Sequence, residues 1–375
     1  LFTKRAILGV AAATAVAVTL SACSAGSSDA ASGDVDAATA TSVADFGGFD
    51  GLVKAAEAEG ELNVIALPEN WANYGKLISL FEEKYDITVN SSNPDVSSAE
   101  EIQAAENLKG QDTAPDVFDL GSAVTLDSLE YFAPYKVETW DDIPADYKEE
   151  SGLWVYDYTG LMSIGYDADA VPAPESLEDL LGADYKGKVA INGDPTQAGA
   201  AAAAVNLVAL QNGGSADDIQ PGIDFFEQLN DAGNFLPVDP APATIASGET
   251  PVVFDWSYNN LAEKKANEGQ RNWQVTVLPG VAVGSYYNQA INVDAPNPAA
   301  ARLWQEFIFS DEAQNLYLEA GAYPVRLAAM VEAGTVDQDA LDAVGEAPAD
   351  LVQFTAEQTE AASALLAEKW AAAIQ

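Results

Sequence analysis

The chain contains no histidine, a single cysteine, and only 16 lysines plus arginines among its 375 residues. Without histidine, Ser-His-Asp and Cys-His catalysis are excluded, as is every His-ligated metal site. One cysteine permits neither an internal disulfide nor a zinc cluster. The few positive charges face 59 Asp plus Glu, for a formal net charge of −43. Such a surface repels phosphate backbones, so nucleic acid is not an expected partner. Its self-repulsion is relieved by salt, which suits saline surroundings. What is plentiful is apolar material, 48% of residues. That is enough for a sizeable core, and the length fits two or three domains or one two-lobed unit.

The first 23 residues read LFTKRAILGVAAATAVAVTLSAC. Lys4 and Arg5 form a short positive region, and Ile7 to Leu20 is uncharged and mostly apolar. The run is short and Ala-rich for a membrane span and fits an export signal, residues 1–22. The sole cysteine closes it in Leu20-Ser21-Ala22-Cys23, which resembles the bacterial lipoprotein lipobox. That resemblance implies lipidation of Cys23. Residues 23–44 hold almost no bulky apolar side chain, so they are expected to form a flexible tether. No later segment is apolar enough to cross a membrane.

From there, strand and helix signals alternate. Leu62 to Leu67 is a continuous apolar run, as in a strand buried on both faces. Tyr74, Leu77, Ile78, Phe81 and Tyr85 share one helical face, and Ile87 to Val89 returns as a strand. This βαβ unit predicts a parallel sheet. Ser98 and Glu101 have capping-box spacing ahead of a helix that Gly110 ends, and Asp116 to Leu120 is a strand. Lys188 to Asn192 is a strand, and Asp194-Pro195 is expected to open an Ala-rich helix to about Gln211. Further elements are a helix at 219–231, strands at 252–255 and 273–278 with a helix at 258–268 between them, and helices from Asn297, Ser310 and Ala356. The pattern gives an α/β protein of two lobes. Its break falls near Met162–Ala170 after a turn at Gly160, and the chain returns near Gly280–Asn292.

Ligands of open parallel sheets sit beyond the carboxyl ends of the strands. That rule selects Glu69, Asn70, Trp71 and Tyr74 after the first strand, and Ser122 after Asp116–Leu120. It also selects Asp194, Thr196 and Gln197 after Lys188–Asn192, and Asp255, Trp256 and Tyr258 after Val252–Phe254. The lobe-crossing segments add Tyr158, Tyr286 and Tyr287. Trp71 and Trp256 offer rings to stack on a ligand, and Asp255 offers either a helix cap or a partner for a cation. Of Tyr286 and Tyr287, strand alternation lets only one face a cleft. The helix start at 194–198 is an anion site unless Asp194 occupies its mouth. With few Lys or Arg in these loops, a small cation or zwitterion fits better than a dianion.

Several segments in order resemble the solute-binding lipoproteins of ABC importers: ELNVIAL, PENWANY, FEEKYDITV, APDVFDLG, SLEDLLGADYKGKVAINGDPTQAG, TPVVFDWSYNN and NPAAARLWQEFIFSDEAQNLYLEAGAYPVR. Asn70 to Tyr74 and Trp256 are similar to the polyamine-binding branch, and DPTQAG to the ferric-iron and phosphonate branch. The resemblance implies a type II periplasmic-binding-protein fold: two α/β lobes with mostly parallel sheets joined by two hinge strands. Lobe 1 is expected over 45–165 plus 285–375, and lobe 2 over 166–284. It implies a monomer anchored on the extracellular face of the membrane through Cys23. This protein would capture a small, polyamine-like solute by hinge closure and deliver it to the permease, without catalysis, cofactor or resident metal. Ferric iron or an aminophosphonate is the alternative ligand. For iron, the family's paired tyrosines fall in the loop held here by Asp255–Asn259, which offers only Tyr258.

The rival readings are an exported carboxylate-based hydrolase and a sensor or adhesin sharing the fold. One motif is a decoy. Gly182 to Lys188 matches the start of a phosphate-binding P-loop, but Val189 stands where Ser or Thr is required and a strand follows instead of preceding.

Overall fold

The computed structural model describes residues 36–345 and 351–375. The export signal, Cys23 and most of the expected tether lie outside them. The tether's last residues are not loose. Ala37–Thr39 and Val43–Phe46 form 3-10 turns, because the buried Arg302 guanidinium donates to the carbonyls of Ala40 (2.7 Å) and Ala38 (2.8 Å).

Helix α1 (Phe49–Glu59) leads into strand β1 (Glu61–Ile65), helix α2 (Tyr74–Tyr85) and strand β2 (Thr88–Ser92). β1 and β2 pair in parallel, with Leu62 opposite Val89, as the apolar spacing predicts. Next come α3 (Ser98–Leu108), β3 (Val117–Gly121), the short α4 (Ser122–Asp127), β4 (Phe132–Ala133) and the long β5 (Val155–Asp167). The middle of the chain supplies β6 (Val189–Ile191), α5 (Gly199–Gln211), α6 (Gln220–Asp231), α7 (Pro242–Ser247), β7 (Val252–Trp256), α8 (Ser257–Ala266) and β8 (Trp273–Thr276). The rest comprises β9 (Ala282–Asn292), α9 (Pro298–Ile308), α10 (Asp311–Glu319), β10 (Tyr323–Pro324), α11 (Leu327–Ala333), α12 (Gln338–Val344), β11 (Leu351–Val352) and α13 (Ala356–Ala373).

Two strands organise the rest. The second sheet runs β11-β9-β5-β7-β6, with β3 and β4 added on β9 and β8 and β10 on β5. The first half of β5 pairs with β9, and its second half pairs with β7 and β8. β5 therefore pairs with strands from both stretches of the chain, whereas β9 pairs with β3, β4, β5 and β11. The sheets are mixed, not mostly parallel. β5 and β9 run against each other, so β3, β4, β7, β8 and β10 all pair with them antiparallel. Parallel pairing is kept at β1–β2, β6–β7 and β9–β11.

Local expectations are displaced at four places. Gly160 makes no turn; it lies inside β5, where a Cβ would come within 2.6 Å of the Tyr258 ring. The capping box is Ser97 with Glu100. Glu101 is instead buried and accepts the backbone N–H of Asp119 at 3.2 Å. The Ala-rich helix starts at Gly199, because Asp194 closes its own turn by accepting the N–H (2.8 Å) and hydroxyl (2.7 Å) of Thr196. Finally, α13 does not rejoin the first half alone. Its Trp370 meets Phe226 of α6 at 5.5 Å and Phe235 at 6.2 Å.

The core follows the apolar faces. Trp304 of α9 sits against Phe81 of α2 (5.2 Å) and Phe307 (5.8 Å). Every residue of α9 from Ala299 to Ile308 is buried, beyond the single face its sequence suggests. Close backbone approach explains Gly165 of β5. A Cβ there would meet Asn260 Oδ1 at 2.1 Å and the Trp273 ring at 2.5 Å. Gly165→Ala is expected to cost about 1–3 kcal/mol through overpacking; a denaturant midpoint equal to that of the parent would contradict this packing.

Candidate functional site

The ends of β3 and β7 and the crossing strand β9 meet around a cavity of about 220 Å³. Helices α3 and α5 start at its wall. Ser98, Ser122, Thr196, Ser285, Thr359 and Ser363 bring hydroxyls, and Gln197, Asn206 and Gln353 bring amides. Tyr156, Trp256, Tyr286, Tyr287 and Phe354 supply rings. Among the described residues, no Asp, Glu, Lys or Arg lines this cavity.

Helix α5 adds polarity without charge. Its N-cap is Ala198, whose side chain caps nothing. The first N–H groups of a helix have no partner within it, so those of Gly199 and Ala200 are left to water or to an acceptor in the cavity. Together with the dipole they favour a compact oxyanion or an electron-rich oxygen. Asp194 is exposed and turned onto Thr196, so its carboxylate does not fill that position.

Behind this cavity lies a buried cluster of rings and carboxylates. Trp71 donates its indole N–H to the Tyr158 hydroxyl at 2.7 Å. It packs edge-on against Tyr258 (5.5 Å) and Tyr287 (5.7 Å). Tyr158 stacks on Tyr287 at 5.7 Å. Deeper in, the Tyr74 hydroxyl lies 2.9 Å from Asp119 Oδ2 and 3.3 Å from Asp157 Oδ2. Gln289 donates to Asp157 Oδ2 and to the Tyr74 hydroxyl, both at 3.0 Å. Burial pushes the carboxyls of Asp119 and Asp157 well above the usual carboxylate range, and their mutual repulsion adds to the rise at Asp119. Burial raises the phenols of Tyr74, Tyr158 and Tyr258 as well. Among the described residues, Asp119 Oδ1 has no hydrogen-bond partner.

The structure divides the fourteen sequence candidates. Ser122, Thr196, Gln197, Trp256, Tyr286 and Tyr287 line the cavity. Trp71, Tyr74, Tyr158 and Tyr258 belong to the ring cluster instead, where they cover one another. Glu69, Asn70 and Asp194 are exposed and do not line the cavity. Asp255 is buried and serves locally, its Oδ1 accepting from the Trp256 N–H (2.7 Å) and the Asn259 amide (3.2 Å). Its carboxyl is pushed up to about 6 by burial. Both Tyr286 and Tyr287 line the cavity, against the expectation that strand alternation lets only one face a cleft, although their rings join different clusters. Tyr286 stacks on Tyr156 at 5.0 Å, and Tyr287 joins Trp71 and Tyr158.

The sequence reading missed Ser98, Tyr156, Asn206, Ser285 and the four residues from 353 to 363. Tyr156 was within reach, since it precedes Tyr158 by one strand repeat. Nothing local marked Gln353 or Phe354.

Known proteins bear on this geometry. A family model described as bacterial extracellular solute-binding protein matches residues 115–350. Solved structures share the fold. AgtB from A. tumefacien R10, in complex with agropinic acid, is 14% identical with a TM-score of 0.65, covering 84% of this chain and 98% of that one. AfuA from Actinobacillus pleuropneumoniae, with exogenous fructose-6-phosphate bound, is 18% identical with a TM-score of 0.64 and the same coverage. The ferric binding protein from Campylobacter jejuni is 17% identical with a TM-score of 0.61, covering 83% of this chain and 99% of that one. Among curated proteins, none matches the chain.

Proposed function

The chain belongs to the bacterial extracellular solute-binding proteins, and from that premise we propose that it captures a small hydroxylated solute, uncharged or bearing one compact oxyanion, for an ABC-type permease. The observation that carries this reading is the cavity's lining of hydroxyls, amides and rings without a charged side chain. A polyamine would find no carboxylate there to offset its desolvation, and a dianion would find no Lys or Arg. Hydroxyl groups can exchange hydrogen bonds with Ser122, Asn206 and Gln353, while an apolar face lies on Trp256 or Tyr286. One oxyanion can rest on the uncapped start of α5. The fructose-6-phosphate held by AfuA is hydroxylated in this way, but its phosphate is close to a dianion at neutral pH, which this lining does not match. The solute leaves unaltered: the lining offers no acid, base or activated nucleophile.

A specific observation favours a second, cationic reading. Asp119 leaves one buried oxygen unpartnered beside the rings of Tyr158, Tyr258 and Tyr287. A carboxylate among rings is the chemistry that holds an amine. The rings now touch, so an amine would have to part them.

The bodies that close are proposed as 45–165 with 285–345 against 166–284, pivoting on β5 and β9. Lipidation at Cys23, the extracellular position and a monomeric state belong to the same proposal. A panel of sugars, sugar phosphates, polyamines and ferric iron, read by thermal shift and small-angle scattering, tests it. A hydroxylated solute at a hundredfold its Kd should add about 2.7 kcal/mol of stability and shrink the radius of gyration. Spermidine binding in preference, abolished by Asp119→Asn, would move the site to the ring cluster. Ferric iron binding, or turnover of any panel member, would overturn the reading.

A further inference from the structure

Residues 351–375 begin where the family match has ended, at residue 350, yet they form one wall of the cavity. β11 adds to the crossing strand β9 in parallel, with Leu351 opposite Ala282 and Val352 opposite Val283. That pairing delivers Gln353, Phe354, Thr359 and Ser363 to the cavity. Helix α13 then runs on across the molecule. Leu366 is fully buried, and Trp370 sits between Phe226 and Phe235. Gln358 donates to Asp217 (2.8 Å), and Lys369 to Gln220 (2.6 Å). All of those partners lie between 217 and 235, in the middle stretch of the chain. The same helix packs against α4, which follows β3 in the other half.

We propose that residues 351–375 are a strap that completes the solute site, with Gln353 and Phe354 setting which solutes fit and α13 latching the two halves together. That the cavity holds solute rests on the reading above; the docking of the strap does not. The geometry gives each part its role. The Trp370 end is fixed on α6 by apolar burial, the strongest hold along the segment. The contact with α4 is made across the cavity, so it exists only when the halves are together. An amide and a ring at positions 353 and 354 close the side of the cavity that β9 leaves open. They meet a solute only in the closed form, so they act on its escape more than on its entry.

The test compares the full-length protein with Phe354→Ala, Trp370→Ala and Asn206→Ala. Amide exchange over residues 122–127 and small-angle scattering are read without solute and with millimolar fructose. Circular dichroism checks that each variant keeps its fold. Without solute, Phe354→Ala and Trp370→Ala should each speed exchange at α4 by tenfold or more, and Trp370→Ala should enlarge the radius of gyration. Asn206→Ala, on the opposite wall, should do neither. With fructose, the parent should gain protection that Phe354→Ala and Asn206→Ala both lose. Strap variants that stay folded with parental exchange and scattering would overturn the strap. Fructose protecting none of the proteins would count against the hydroxylated-solute reading alone, because the solute-free measurements decide the strap by themselves.

Discussion

Lowering the pH from 8 to about 5 is expected to raise the melting temperature of this protein. Burial lifts the carboxyls of Asp116 and Asp255 to about 6 and that of Glu306 to about 7. It lifts Glu101, Asp119 and Asp157 as well, Asp119 further through repulsion from Asp157. The ordinary range of these groups is about 4. Between pH 4 and 7 the folded protein therefore keeps protons that the unfolded chain has released. Unfolding gives up protons in that window, so stability falls as the pH rises through it. Exposed carboxyls lowered by local hydrogen bonds, such as Glu100 and Asp179, act in the opposite sense only below about pH 4. With no histidine in the chain, no imidazole contributes between pH 5 and 7.

The effect is large. The rise at Glu306 alone corresponds to roughly 3 kcal/mol at ~1.4 kcal/mol per pH unit. Asp116, Asp255 and Glu306 together should move Tm by about 10 °C, at roughly 1.4 °C per kcal/mol for a chain of this length. Self-repulsion of the acidic surface adds to the slope at low salt. Asp119→Asn isolates the central pair. Its Oδ2 can go on accepting from Tyr74, and the new amide replaces the oxygen that has no partner. The variant should melt higher than the parent at pH 8 and show a flatter pH profile. A parent whose Tm climbs with pH from 5 to 8, or an Asp119→Asn protein that loses stability at pH 8, would refute the assignment.

The second large effect is expected at Trp256. This residue ends β7, is 1% exposed, and presents its ring to the cavity. Trp256→Ala should cost about 3–5 kcal/mol of stability, the usual loss for a buried aromatic. It should also weaken the bound panel solute at least tenfold, or ~1.4 kcal/mol. The two losses are separated by Trp256→Phe, which keeps a ring on the cavity wall and most of the packing. That variant should regain most of the stability but bind measurably more weakly than the parent, because the six-membered ring covers less of the solute. An unchanged Kd in a folded Trp256→Ala protein would remove this wall from the site.

The sequence alone determined the alternation of strand and helix and the exclusion of histidine chemistry. Both depend on local spacing or composition, which no later packing can change. The apolar steps from Tyr74 to Tyr85 return as α2, and Asn297-Pro298 opens α9. What spacing cannot report is the element that comes to lie over a given face. Trp71 looked open to solute, but Tyr158, 87 positions later, takes its N–H. The candidate loops held carboxylates, yet Asp255 turns to its own backbone and Asp194 to Thr196. A surface rich in acid therefore surrounds an uncharged cavity. The mixed sheet was hidden for the same reason: strand direction is set by which long strand each segment joins, and β5 and β9 run in opposite directions. Only the tertiary structure brings Gln353 and Phe354 beside Ser122 and Trp256, because contacts over such separations are fixed by how whole elements bury one another and leave no mark on the neighbouring residues.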